Sequence, residues 1–187
     1  MFNPNPRVQT LTAGGRPVCH VIDDALLEPQ RWVDYATAHV REFEDSPHDA
    51  YPGPELPLAD AVSARLDAFF ARHVRRLFDA RRTLRVSTRL SLATRRTEEL
   101  APRQWLCHVD RMRTEPGQSV VASVLYLFHD ASLGGTGFYR PLRPFPEVAQ
   151  LVQASATLAP ADFTARHGVQ PGYMTASNAW FEKLLAV

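Results

Sequence analysis

Two cysteines, Cys19 and Cys107, are too few and too far apart for a disulfide framework or a cysteine-based zinc site. Buried free thiols are the default reading. Lysine is nearly absent, since of 21 basic residues only Lys183 is not arginine. The positive charge is therefore almost entirely guanidinium, a compositional habit from which no mechanism follows directly. No excess of one sign stands out either: 20 acidic residues leave a formal net charge of +1 at pH 7. That balance gives no reason to expect a nucleic-acid footprint or a polybasic membrane patch. Nowhere do about 18 apolar residues run consecutively. The opening Met1-Phe2-Asn3-Pro4-Asn5-Pro6-Arg7 also lacks the charged and then apolar run of a signal peptide. The expected location is the cytoplasm, with neither membrane nor nucleic acid as partner.

What is present is the composition of an ordinary globular chain, 45% hydrophobic and 22% charged over 187 residues. That length suits one domain, 1–187, with a single core. After a short polar leader, Val18 to Ile22 reads as a small apolar strand ending in Asp23-Asp24. A helix should follow, because Pro29 suits a first turn and Trp32, Ala36, Val40 and Phe43 recur at helical spacing. Four prolines and Gly53 make most of Ser46 to Pro57 a loop. From Asp60 to about Ala80, the residues Val62, Leu66, Phe69, Phe70, Val74, Leu77 and Phe78 form one apolar face of a helix.

The period then changes. Leu84, Val86, Thr88, Leu90 and Leu92 alternate with polar residues, as a strand with one buried face requires. A short strand is expected around Trp105 to Asp110, and Val120 to Phe128, apolar on both faces, reads as a central, doubly covered strand. Gly134-Gly135 supplies a turn, Thr136 to Tyr139 leads away as a strand, and Glu147 to Arg166 is helical in pieces interrupted at Pro160. Helices first and short strands second make the fold class α+β, with the strands as a barrel-like or jelly-roll sandwich or an open antiparallel sheet.

The sharpest chemical feature is Trp105-Leu106-Cys107-His108-Val109-Asp110. On an extended strand positions i and i+2 point the same way, so His108 and Asp110 present a nitrogen and an oxygen to one ion. One more histidine would complete the facial triad of a non-haem Fe(II) site. The plain alternative is a surface ion pair, and the triplet alone does not exclude it.

The order of His-x-Asp, loop, apolar strand, Gly-Gly turn and strand resembles the 2-oxoglutarate/Fe(II)-dependent dioxygenases of double-stranded β-helix fold, in particular their prolyl-hydroxylase-like members. Leu100 to Asp110, then Val124-Leu125-Tyr126-Leu127, then Gly134-Gly135-Thr136-Gly137-Phe138-Tyr139-Arg140 are similar to an uncharacterised bacterial branch of that superfamily. Val21-Ile22-Asp23-Asp24 with Leu27 and Pro29, and Tyr51-Pro52-Gly53, are similar to its amino-terminal half. The resemblance implies amino-terminal helices packed on a double-stranded β-helix, with Fe(II) as metal and 2-oxoglutarate as cosubstrate. It implies a hydroxylase acting on an unidentified small molecule or side chain. His108 and Asp110 match its first two metal ligands. Tyr126 and Arg140 are candidates for the cosubstrate pocket, against the plainer readings of core packing and solvation. Arg89 is a further candidate on the same footing.

The superfamily's distal histidine and its basic cosubstrate anchor have no matching positions here. His129 reads as a turn residue facing water, and His167 as a histidine meeting a helix dipole; neither is expected to be the third ligand. The chain ends inside an apolar stretch, Trp180 to Val187. The expectation is a β-helix lacking its last strands, inactive as it stands and holding Fe(II) weakly. Cys107 should pack in the core on the face opposite His108. Two other classes remain open: a non-catalytic β-helix domain that binds a ligand or partner after losing its metal site, and a cupin-type metal hydrolase or isomerase. The last would want more histidines near His108.

Overall fold

The computed structural model describes residues 1–45, 51–109 and 115–187. The fold is α+β, with helices and short antiparallel strand pairs interspersed. The chain divides into two compact units, Met1–Asp49 with Gly53–Thr94, and Ala50–Pro52 with Arg95–Val187.

The first unit opens on a hairpin of β1 (Arg7–Ala13) and β2 (Arg16–Asp23), with Val8 opposite Ile22 and Ala13 opposite Arg16. Gly14 and Gly15 both take positive φ, +57° and +74°, as a two-residue hairpin turn demands. The expected strand Val18 to Ile22 lies inside β2, whereas β1 occupies what reads as a polar leader. Its Arg7, Gln9, Thr10 and Thr12 face water and hide the alternation of Val8, Leu11 and Ala13.

Helix α1 (Gln30–Ala38) starts directly after Pro29, whose φ of −61° is already helical. Helix α2 (Asp60–His73) turns Leu66 and Phe69 inward, with Phe69 stacked on Phe2 at 5.0 Å. It ends earlier than its apolar periodicity suggests. After Val74 the backbone tightens into one 3-10 turn, Arg75–Phe78, and Asp79 adopts a left-handed φ of 53°. Leu77 and Phe78 are consequently exposed.

Strand β3 (Glu55–Pro57) pairs with β4 (Arg89–Ser91), Leu56 opposite Leu90. The alternating segment from Leu84 to Leu92 thus contributes only three residues to a ladder, although Val86, Thr88 and Leu90 are half-buried between exposed Arg85, Ser87 and Arg89. Beyond these residues the pairing continues through single hydrogen bonds, from the Leu92 N–H to the Pro54 carbonyl and from the Leu58 N–H to the Thr88 carbonyl, both at 3.0 Å, and Pro54 has no N–H to return the first.

In the second unit a core of Leu100, Trp105, Leu106, Leu151, Phe163, Val169 and Phe181 is drawn from five separate stretches of chain. Helix α3 (Pro102–Trp105) is one turn. Helices α4 (Phe145–Ser155) and α5 (Pro160–His167) each begin with proline in the first turn, and α5 ends at Gly168 with φ +68°. Leu151 and Phe163 are fully buried. Strand β5 (Gly137–Pro141) pairs with β6 (Phe181–Ala186), and the pairing continues through reciprocal hydrogen bonds of 2.9 Å between Thr136 and Val187. The apolar stretch after Trp180 is therefore strand, with Phe181 in the core.

Two expected strands are absent. Residues from Trp105 to Val109 finish a helical turn and continue without a ladder, and the segment 118–130 has no regular structure. Val124 is 66% and Leu125 47% exposed. Among the described residues the backbone of 119–129 makes no backbone hydrogen bond, and an apolar run is a strand only where a neighbour takes its N–H and C=O groups. The described strands form three separate two-stranded antiparallel sheets.

Candidate functional site

The approach to His108 is tightly fixed. Pro102 opens α3, and the Gln104 side chain accepts from the Ala101 N–H at 2.9 Å while donating to the Tyr51 carbonyl at 3.0 Å. The Trp105 indole donates to the Leu100 carbonyl at 3.0 Å and meets Phe163 edge-on at 6.0 Å. Leu100, Pro102, Gln104, Trp105 and Leu106 are all buried. The Cys107 N–H then reaches the Met174 sulfur at 3.3 Å, and its half-buried thiol packs against the core as the sequence suggests. Burial pushes that thiol up to about 11, so it stays protonated near neutrality.

At the next residue the chain leaves the core. His108 is exposed and Val109 is 68% exposed. Thus His108 is a surface imidazole at the end of an anchored segment. Asp110 lies outside the described residues, and with it the expectation that its carboxylate shares a face with His108.

Tyr126 is half-buried, its hydroxyl hydrogen-bonded to the Thr136 hydroxyl and its ring edge-on to Phe128 at 5.5 Å. Arg140, on β5, forms an ion pair across the ladder with Glu182 of β6. This engages its Nε and Nη2 within the strand pair. Arg89 is likewise committed, to Glu55 at 2.6 Å in the first unit.

The two histidines that follow Asp110 differ in setting. His129 is exposed. His167 closes α5 with its ring 4.9 Å from Phe163 and 6.0 Å from Trp180, while its carbonyl accepts from the Trp180 indole at 2.9 Å. Its Nε2 is buried and has no hydrogen-bond partner among the described residues. Burial first, and the Arg166 charge second, lower its pKa. Among the described residues no three His, Cys, Asp or Glu side chains gather as a metal-binding group.

Sequence reasoning passed over Met174 and Tyr139. The Tyr139 hydroxyl donates to the Met174 carbonyl at 2.6 Å, so Met174 ties β5 to the segment leading into His108. Burial, and then the nearby Cys107, raise the Tyr139 phenol above its ordinary value. The alternation of Tyr139 with Arg140 along β5 carried the signal, because neighbours on a strand face opposite sides.

No curated protein and no solved structure matches the chain. Residues 4–187 match a family described as a family of unknown function, DUF6445, and the chain belongs to that family.

Proposed function

We propose that this protein is an Fe(II)- and 2-oxoglutarate-dependent oxygenase, a hydroxylase built on a double-stranded β-helix. The single observation that carries the reading is His108-Val109-Asp110 at the end of a segment locked by Gln104, Trp105 and Cys107. An anchored backbone that presents a histidine at the surface suits a metal ligand, whose position must be held. Imidazole and carboxylate together are the donor chemistry of a non-haem iron site with open positions. When bound, the metal and 2-oxoglutarate would supply the oxidising chemistry. The chain's own part is to offer one nitrogen from His108 and one oxygen from Asp110. A third donor is assigned to no residue, and His167 is a poor candidate because its ring lies against Phe163 and Trp180.

A second reading, a non-catalytic domain that binds a ligand or partner, is favoured by the ion pair of Arg140 with Glu182, which gives that candidate a structural role within the strand pair. Anaerobic titration with Fe(II) and 2-oxoglutarate separates the two. A visible charge-transfer band, with succinate formed once air is admitted, is expected and should be lost in His108→Ala and Asp110→Ala. Fe(II) binding unchanged in both variants would remove the metal site and leave the second reading.

A further inference from the structure

Arginine is not spread evenly along this chain. Arg72, Arg75, Arg76, Arg81, Arg82 and Arg85 fall within fourteen residues that contain one acid, Asp79, so the stretch carries a formal +5 while the rest of the chain nets −4. A compositional habit would disperse its arginines; these are segregated.

The fold keeps them together. The end of α2 and the 3-10 turn carry Arg72, Arg75 and Arg76. The left-handed Asp79 then reverses the chain, with the Asp79 N–H on the Arg76 carbonyl at 3.1 Å and the Ala80 N–H on the Arg75 carbonyl at 3.3 Å. Arg81, Arg82 and Arg85 follow on the other side of that turn. Arg76, Asp79, Ala80 and Arg81 line a shallow depression of about 420 Å³. Five of the six arginines are exposed, and Arg75 is half-buried.

Elsewhere Arg7, Arg31, Arg89, Arg96 and Arg140 each pair with a carboxylate. None of the six does so among the described residues. Asp67, brought close by the fold, accepts a hydrogen bond from the Thr83 hydroxyl. The negative end of the α2 dipole accounts for a cation or two in its last turn, but its influence fades within a turn and does not reach Arg81, Arg82 or Arg85.

We propose that this surface docks an acidic polypeptide segment carrying apolar side chains. Guanidinium forks match carboxylates bidentately. Leu77 and Leu84, 45% and 61% exposed among the arginines, offer apolar contact to the same partner. Single-stranded nucleic acid is a poorer occupant, because the stretch's one aromatic, Phe78, though partly exposed, already packs against His20 at 5.0 Å and Phe70 at 6.2 Å. For an anionic membrane the stretch offers charge but no amphipathic helix of its own, being the end of α2, one 3-10 turn and a bend.

The proposal is independent of the oxygenase reading and is tested without iron. Fluorescence anisotropy of a labelled peptide of repeating Glu-Glu-Leu, titrated with the intact protein at low salt, should show saturable binding that weakens as salt rises. Arg76→Gln with Arg81→Gln should weaken it by about tenfold. Arg16→Gln with Arg41→Gln, an equal change of charge at exposed sites outside the patch, should leave it unchanged. Equal losses in the two pairs, no binding of the peptide, or tighter binding of polyuridylate or of phosphatidylserine vesicles would each overturn the proposal. Matching thermal melts for the two pairs establish that a difference between them is not a folding defect.

Discussion

At the scale of single residues, His167 is the group whose chemistry is most at odds with its surroundings. Its Nε2 is buried without a partner between two aromatic rings. Because burial lowers its pKa below the unfolded value of about 6.5, the folded protein holds it neutral where the unfolded chain would bind a proton. Its contribution to stability is therefore present above the unfolded pKa and is lost as pH falls through the lower folded one. His167→Phe keeps the aromatic packing and removes the titration, so its melting temperature should fall less between pH 7.5 and pH 5 than that of the unaltered protein. Parallel curves for the two proteins would show that His167 does not titrate in its buried setting. His108 is the opposite case, an exposed ring at the end of an anchored segment, and the two could not be told apart as lone histidines in the sequence.

At the scale of elements, the segment 118–130 shows what hydrophobicity alone leaves open. Ser119-Val120-Val121-Ala122-Ser123-Val124-Leu125-Tyr126-Leu127-Phe128 has high β-propensity, no charge and no proline, yet it runs irregular and largely exposed. Such a segment is an aggregation hazard wherever its backbone has no neighbour. A charge at its most exposed apolar position should blunt this, so Val124→Lys is expected to lower light scattering on incubation at 37 °C without lowering the melting temperature. Increased scattering, or a large loss of stability, would mean that Val124 is packed in solution. Proline explains other boundaries directly. Pro160 separates α4 from α5 as the sequence indicates, because it opens a new first turn. Pro54 has no N–H to complete the pair with Leu92 beyond the three-residue strands β3 and β4, a feature that the alternation from Leu84 to Leu92 did not reveal.

At the scale of the whole molecule, each compact unit depends on a few buried side chains. In the second unit Phe163 and Leu151 are fully buried and draw Trp105, Leu106 and Phe181 around them. Phe163→Ala should therefore cost ~3–5 kcal/mol. Chemical denaturation followed by tryptophan fluorescence is suited to the measurement, because Trp105 and Trp180 both belong to this unit. A loss below ~1 kcal/mol would mean that the surroundings collapse around the gap. The same packing holds the segment that leads to His108, so this variant should also weaken any Fe(II) binding that depends on His108.

The amino-acid sequence by itself determined the mixed fold class and the periodic elements β2, α1, α4 and α5. It also determined most of α2. These are local properties, set by spacing, by proline and by the alternation of apolar with polar side chains. Tertiary structure decided the rest. β1 became a strand because Gly14-Gly15 folds it onto β2, and the apolar stretch after Trp180 became a strand because β5 accepts it. Arg140 was committed to Glu182 and His167 to Phe163 and Trp180. The physical reason is common to all of these. A helix satisfies its backbone from within, so its signal lies in its own residues, whereas a strand, an ion pair or a metal ligand is completed by partners that lie far away in sequence.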